Sequence, residues 1–183
     1  MESYPQRLFQ ILRQWRKLND RFTGNIESLN TSLDRFSLIN DQQTYTQLNT
    51  LQPIVKPSLE CAFLELVSSK FSHCKTDLDE LTCLMDGLSV VQNSATSDFY
   101  KHLTSNHLVS KNSFILQLVQ EVYAVSLSFS NKITSIDSTD VSSVSDLKVF
   151  AKSVKSCLLS HSDVMLIGSL MSRCKAFLNL FQS

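Results

Sequence analysis

Four acidic side chains, Asp77, Asp79, Glu80 and Asp86, stand close together in the chain, and on a helix Asp77 and Glu80 would share a face at i, i+3. Such a pair does proton chemistry only where a pocket drives its two pKa values apart, and a helix surface supplies none, so a solvated acidic face is expected. His161-Ser162-Asp163 sets the residue types of a hydrolytic triad side by side. A working triad converges from separate elements, and Ser162 and Asp163 read more simply as the cap of a helix. His73 next to Cys74 is a ligand-type pair, but sequence neighbours point to different helix faces, so buried thiols are expected and no metal. Gly24, Gly87 and Gly168 stand alone, which leaves no glycine-rich cradle for phosphate. The residues therefore point to no catalytic group, no cofactor and no metal, and the chain reads as a non-enzymatic protein.

Binding chemistry is what remains. Arg13, Arg16, Lys17 and Arg21 form a basic cluster, with Trp15 among them. Across the chain 17 basic residues balance 17 acidic ones, so no broad positive surface is available and direct nucleic-acid binding is not expected. The basic cluster reads as a solvated helix face, and Trp15 as a core side chain. Five scattered cysteines without a Cys-x-x-Cys pair fit reduced thiols, and the polar start of the chain carries no secretory pattern. A nuclear or cytoplasmic, intracellular protein is the expectation. The most apolar window, Cys157 to Phe181, is interrupted by His161, Asp163, Arg173 and Lys175, so no membrane association is expected.

The elements that position these residues are helices. Three glycines and three prolines in 183 residues leave little for hairpin turns, and 43% apolar residues suffice for a core. Leu8, Trp15, Phe22, Leu29 and Phe36 recur at a spacing of seven, with Ile11, Leu18 and Ile39 in the complementary position and Leu12, Ile26 and Leu33 widening the stripe. Asn25 and Ser32 interrupt the complementary position, and Gly24 weakens the helix there. This predicts a coiled-coil-like helix over about 7–40. A polar loop, 40–57, precedes a second long helix over about 58–104, capped at Ser58 and carrying Leu59, Phe63, Leu66, Val67, Phe71, Cys74, Leu78, Leu81, Met85, Leu88, Val91, Ala95 and Phe99 at steps of three and four. A third helix is predicted over 113–136, a Ser/Thr/Asp-rich linker over 134–145, a short helix from Ser145-Asp146 to 159, and a last one from Ser162-Asp163 to 181 with Met165, Leu166, Leu170, Cys174, Phe177 and Leu178 as its face. The fold class is all-α: a long antiparallel αα-hairpin, rod-like, over 1–110, followed over 111–183 by a third helix and two shorter C-terminal ones.

Two segments carry more information than periodicity. The first runs Ile11-Leu12-Arg13-Gln14-Trp15-Arg16-Lys17-Leu18-Asn19-Asp20, then Phe22 and Asn25-Ile26. The second is Met85-Asp86-Gly87-Leu88 with Gln92, where Gly87 sits inside a helix and reads as a place of close helix approach. At Trp15, Leu18, Asn19, Asp20, Phe22, Asn25 and Ile26, and again at Met85-Asp86-Gly87-Leu88 and Gln92, the chain resembles the cyclin-dependent kinase 2-interacting protein family. Methionine stands where leucine is usual, and Leu118 to Tyr123 matches a third helix of that family more loosely. Ala124-Val125-Ser126-Leu127-Ser128-Phe129 replaces the family's leucine- and lysine-rich stretch.

What the resemblance implies is an adaptor. Members dock cell-cycle and replication kinases, and pair with another small helical protein in a complex built on an AAA+ ATPase that serves DNA replication, genome maintenance and ribosome maturation. The partner-binding residues are then expected among Leu8, Ile11, Trp15, Leu18, Asn19, Asp20, Phe22, Leu29 and Phe36 and among Met85, Asp86, Gly87, Leu88 and Gln92, with a helical protein as partner. The heptads alone equally allow a coiled-coil structural subunit of a kinetochore, tethering or cytoskeletal assembly.

Overall fold

The structure, a computed structural model, describes residues 3–41, 55–102, 109–137, 141 and 143–181. Among the described residues five helices follow one another: α1 (Tyr4–Ile39), α2 (Val55–His102), α3 (Val109–Asp137), α4 (Val144–Cys157) and α5 (His161–Phe181). The all-α class and the long hairpin hold. At 36 and 48 residues, α1 and α2 are rods of about 54 and 72 Å at 1.5 Å per residue.

The helices begin earlier than the periodicity predicts. Pro5 occupies the first turn of α1, where a missing N–H costs nothing, and α2 begins at Val55 with Pro57 inside its first turn, upstream of Ser58. Most of the predicted 40–57 loop lies outside the described residues. α3 continues through Thr134 to Asp137 and α4 starts at Val144, so both ends of the predicted 134–145 linker are helical. The last two caps are also displaced. Ser143, not Ser145, caps α4: its hydroxyl accepts from the Asp146 N–H while the Asp146 carboxylate accepts from the Ser143 N–H at 2.8 Å. Ser160 and Asp163 repeat that reciprocal capping box at α5, with Ser162 bonded to the cap hydroxyl at 2.7 Å.

Antiparallel pairing of α1 and α2 is fixed along its length by polar contacts. The Tyr4 hydroxyl donates to Asp98 at 2.5 Å, Arg21 Nε to Asp77 at 2.6 Å, and Asn25 Nδ2 to the other Asp77 oxygen at 2.6 Å. Asp77 is 2% exposed. The expected solvated acidic face therefore holds for Asp79, Glu80 and Asp86, but Asp77 points inward between the two helices.

α1 is the hub, packed against each of the other four helices. Its buried line is Leu8, Leu12, Trp15, Asn19, Phe22, Ile26, Leu29 and Leu33, steps of four and three that centre one residue beyond the predicted seam. Ile11 and Leu18, central in a two-stranded coiled coil, lie at the edge of the core. A two-stranded seam faces one partner; α1 faces α2 on one side and α3, α4 and α5 on the other, and its buried stripe widens and turns to match.

α4 and α5 together form a broken fourth column running back along α1. Lys148 Nζ donates to Ser37 Oγ at 2.6 Å near one end, and Phe71 meets Phe150 edge-on. At the break, the Leu159 N–H donates to the buried Asn19 side-chain oxygen at 3.3 Å. Further on, Arg173 pairs with Glu121 and covers Phe114, which stacks on Phe177. The face of α5 is Ile167, Leu170, Cys174 and Phe177; Met165 and Leu166, predicted to belong to it, are 64% and 44% exposed. One core runs through all five helices.

Removing Arg21 leaves the Asp77 carboxylate buried with Asn25 alone. Arg21→Ala should lower unfolding free energy by about 1–3 kcal/mol in urea titration, and adding Asp77→Asn should recover much of it. A larger loss in the double variant than in the single one would contradict this. Ser160 holds the Asp163 carboxyl below its ordinary 3.8 by hydrogen bonding, so its contribution is present above 3.8 and is lost as pH falls through the lower folded value. Ser160→Ala should cost about 0.5–2 kcal/mol at neutral pH and less in acid.

Candidate partner groove

The register set by Arg21 and Asp77 brings the two motif segments, distant in sequence, to the same level of the hairpin. One turn before Arg21 lie Lys17 and Leu18; one turn beyond Asp77 and Glu80 lie Cys83 and Leu84. Between them is an open groove of about 610 Å³, walled by Gln14, Lys17, Leu18 and Arg21 of α1 and by Thr76, Asp79, Glu80, Cys83 and Leu84 of α2. Leu18 and Leu84 are half-buried and form an apolar floor, and Cys83 is exposed beside them. The α1 wall is basic and the α2 wall acidic. Arg21 bridges them, its Nη2 reaching Glu80 at 2.8 Å, and that bond is the main reason its guanidinium pKa is raised.

The sequence-predicted residues divide between core and surface. Leu8, Trp15, Phe22, Leu29, Met85 and Leu88 are sunk in the chain's own core, none more than 5% exposed. Trp15 packs against Phe129 with ring centroids 5.3 Å apart, and its buried indole N–H has no acceptor among the described residues. Asn19 is buried at the α4–α5 break. Ile11 and Phe36 are half-buried and Asp20 is exposed. On α2, Asp86 is exposed, and Gly87 and Gln92 are half-buried.

Gly87 does not mark close helix approach: a Cβ built there meets nothing within 4 Å. It lies one turn beyond Cys83 on the groove side of α2, with Val90, 58% exposed, one turn further. The backbone at Gly87 is therefore open to its surroundings beside the end of the groove. Cys83, Leu84 and Val90 were not singled out by the sequence pattern. The signal for Cys83 and Val90 was available in positions 76, 80, 83, 87 and 90, which trace a second helical stripe beside the buried one, with Leu84 at its edge.

Among the described residues no three His, Cys, Asp or Glu side chains gather as a metal site requires, and no helix is long and apolar enough to cross a membrane. Compared with family models, curated proteins and solved structures, the chain gives no match.

Thiol chemistry reports on this arrangement. Cys61 and Cys83 are exposed, whereas Cys74 and Cys174 are buried. Burial, helped by the Asp77 charge, pushes the Cys74 thiol up to about 12, and burial pushes Cys174 to about 11. In the native protein a maleimide should label Cys61 and Cys83 quickly and leave Cys74 and Cys174 unmodified until unfolding, read by peptide mass mapping. Because both folded values lie above the ordinary 9.0, their contribution to stability is intact below 9.0 and is lost as pH rises toward 11 and 12.

Proposed function

We propose that the chain is a non-enzymatic helical adaptor that receives an amphipathic helix of a partner protein in the α1–α2 groove. The observation that carries this is the juxtaposition of the two family-like segments. Lys17 and Leu18 of the first segment line the groove, and Gly87 of the second lies one turn beyond Cys83, which lines the opposite wall. Helix-in-groove recognition needs an apolar floor, charged walls and room for a projecting side chain. Leu18 and Leu84 give the floor, Lys17 and Asp79 the walls, and the open backbone at Gly87, one turn beyond Cys83, leaves room beside them.

The resemblance to the cyclin-dependent kinase 2-interacting protein family rests on the same segments. On that reading the docked protein belongs to a complex of replication kinases or of an AAA+ ATPase, and the adaptor acts in replication, genome maintenance or ribosome maturation. The core aromatics Trp15 and Phe22 then hold the bundle together, and the outward residues meet the partner.

Substitution at Gly87 separates binding from folding. Gly87→Ala should raise stability by about 0.5–1 kcal/mol, since a helical glycine is replaced without any clash. Gly87→Leu projects a bulky side chain into the open space beside the groove; it should fold with an unchanged or higher melting temperature and lose co-purification with the AAA+ ATPase or kinase that the wild type captures. Equal recovery by wild type and Gly87→Leu would overturn the groove, and the absence of both protein classes from the wild-type capture would overturn the family reading.

A further inference from the structure

The groove's walls carry opposite charge, and this suits a second copy of the same chain. Arg13 and Lys17, exposed and one turn apart on α1, face away from the core; Asp79 and Asp86, exposed and two turns apart, do the same on α2. Neither Lys17 nor Asp79 has an ion-pair partner among the described residues, although both line the groove. The antiparallel register sets Lys17 level with Cys83 and Leu84, and Arg13 level with Asp86 and Gly87.

Two twofold arrangements lay one groove on another. An axis perpendicular to the helices places α1 on the second copy's α1, basic on basic. An axis parallel to the helices places α1 over the second copy's α2 at the same level, so that Arg13 meets Asp86, and Lys17, level with Cys83 and Leu84, stands between Asp79 and Asp86 within reach of both, twice over. Both copies then cover Leu18, Leu84 and Val90, the last 58% exposed in the single chain.

We propose that in the absence of its partner the protein closes this groove with a second copy of itself, as a dimer whose twofold axis runs parallel to α1 and α2. This builds on the groove as a docking surface and adds a regulatory consequence: self-association and partner docking compete for one site.

Light scattering of the purified full chain across a concentration series tests it. The mass should rise from 20.7 kDa to twice that value, and the transition should move to higher protein concentration as salt screens the wall charges. Lys17→Glu should weaken dimerisation at least tenfold, and Lys17→Glu combined with Asp79→Lys, which exchanges the two walls, should restore it. Carbodiimide cross-linking of mixed light and heavy-isotope chains should yield Lys17–Asp79 peptides joining one copy to the other. A mass of 20.7 kDa at every concentration, a dimer indifferent to Lys17→Glu, or one tightened by it as the perpendicular axis requires, would each overturn the proposal. Partner capture sensitive to Gly87→Leu but without a dimer would leave the docking reading standing. A dimer of the stated charge dependence with capture insensitive to Gly87→Leu would remove the docking reading instead.

Discussion

The carboxylate of Asp77, held between α1 and α2 by Arg21 and Asn25, sets the register on which the rest of the molecule depends. An apolar repeat of seven is degenerate, because sliding α1 by one repeat against α2 still places large side chains opposite large side chains. A buried charge is not degenerate. Asp77 is 2% exposed, and a shifted register would separate it from Arg21 and Asn25; an uncompensated buried ion costs several kcal/mol. The same trio fixes what stands across the groove from Lys17 and Leu18. Arg21 serves both purposes, closing on Asp77 with Nε and reaching Glu80 on the surface with Nη2.

The second constraint is that one helix is shared by four. α1 carries an apolar line too wide for a single neighbour, and α2 covers only one side of it. Beyond the first hairpin the chain ascends as α3 and returns as α4 and α5, covering the rest. The return is broken, and Asn19 shows how the break is accommodated. Its side-chain oxygen accepts the Leu159 N–H, which the last turn of α4 leaves without a helical acceptor, while Ser160 and Asp163 cap the restart. A polar residue in the apolar stripe of α1 is thereby satisfied. The α4–α5 break sits level with Asn19, where the buried face of α1 offers an amide oxygen to the unpaired N–H.

Much of the fold was legible because helical periodicity and scarce glycine and proline act locally. Leu8, Trp15, Phe22 and Leu29 are core residues as the spacing of seven predicts. The rotation of the buried stripe toward Leu12, Asn19, Ile26 and Leu33 was not legible, since it depends on how many helices surround α1, and that is a tertiary fact. Asp77 was misread for the same reason: nothing local distinguishes it from Asp79, and its burial follows from meeting Arg21 and Asn25 across the hairpin. The caps were displaced by two residues because Ser143-Val144-Ser145-Asp146 and Ser160-His161-Ser162-Asp163 each offer two serines, and only the first is three residues before its aspartate. The groove was half legible. Both segments stood out in sequence, but their adjacency required the register.

The weight placed on Gly87 turns on position and not on composition. Gly24 and Gly168 are equally free of neighbours, so an uncrowded helical glycine is common in this chain and marks nothing by itself. Each costs about 0.5–1 kcal/mol of helix stability relative to alanine, and proteins tolerate such losses without functional cause. Gly87 differs because it lies one turn beyond Cys83, a lining residue of the groove of about 610 Å³ whose walls carry Lys17 and Asp79. At Gly24, exposed on α1, the missing side chain only bares backbone to water, whereas Gly87 is half-buried beside the groove. The concavity and its charges, and not the glycine by itself, distinguish this surface from the rest of the bundle.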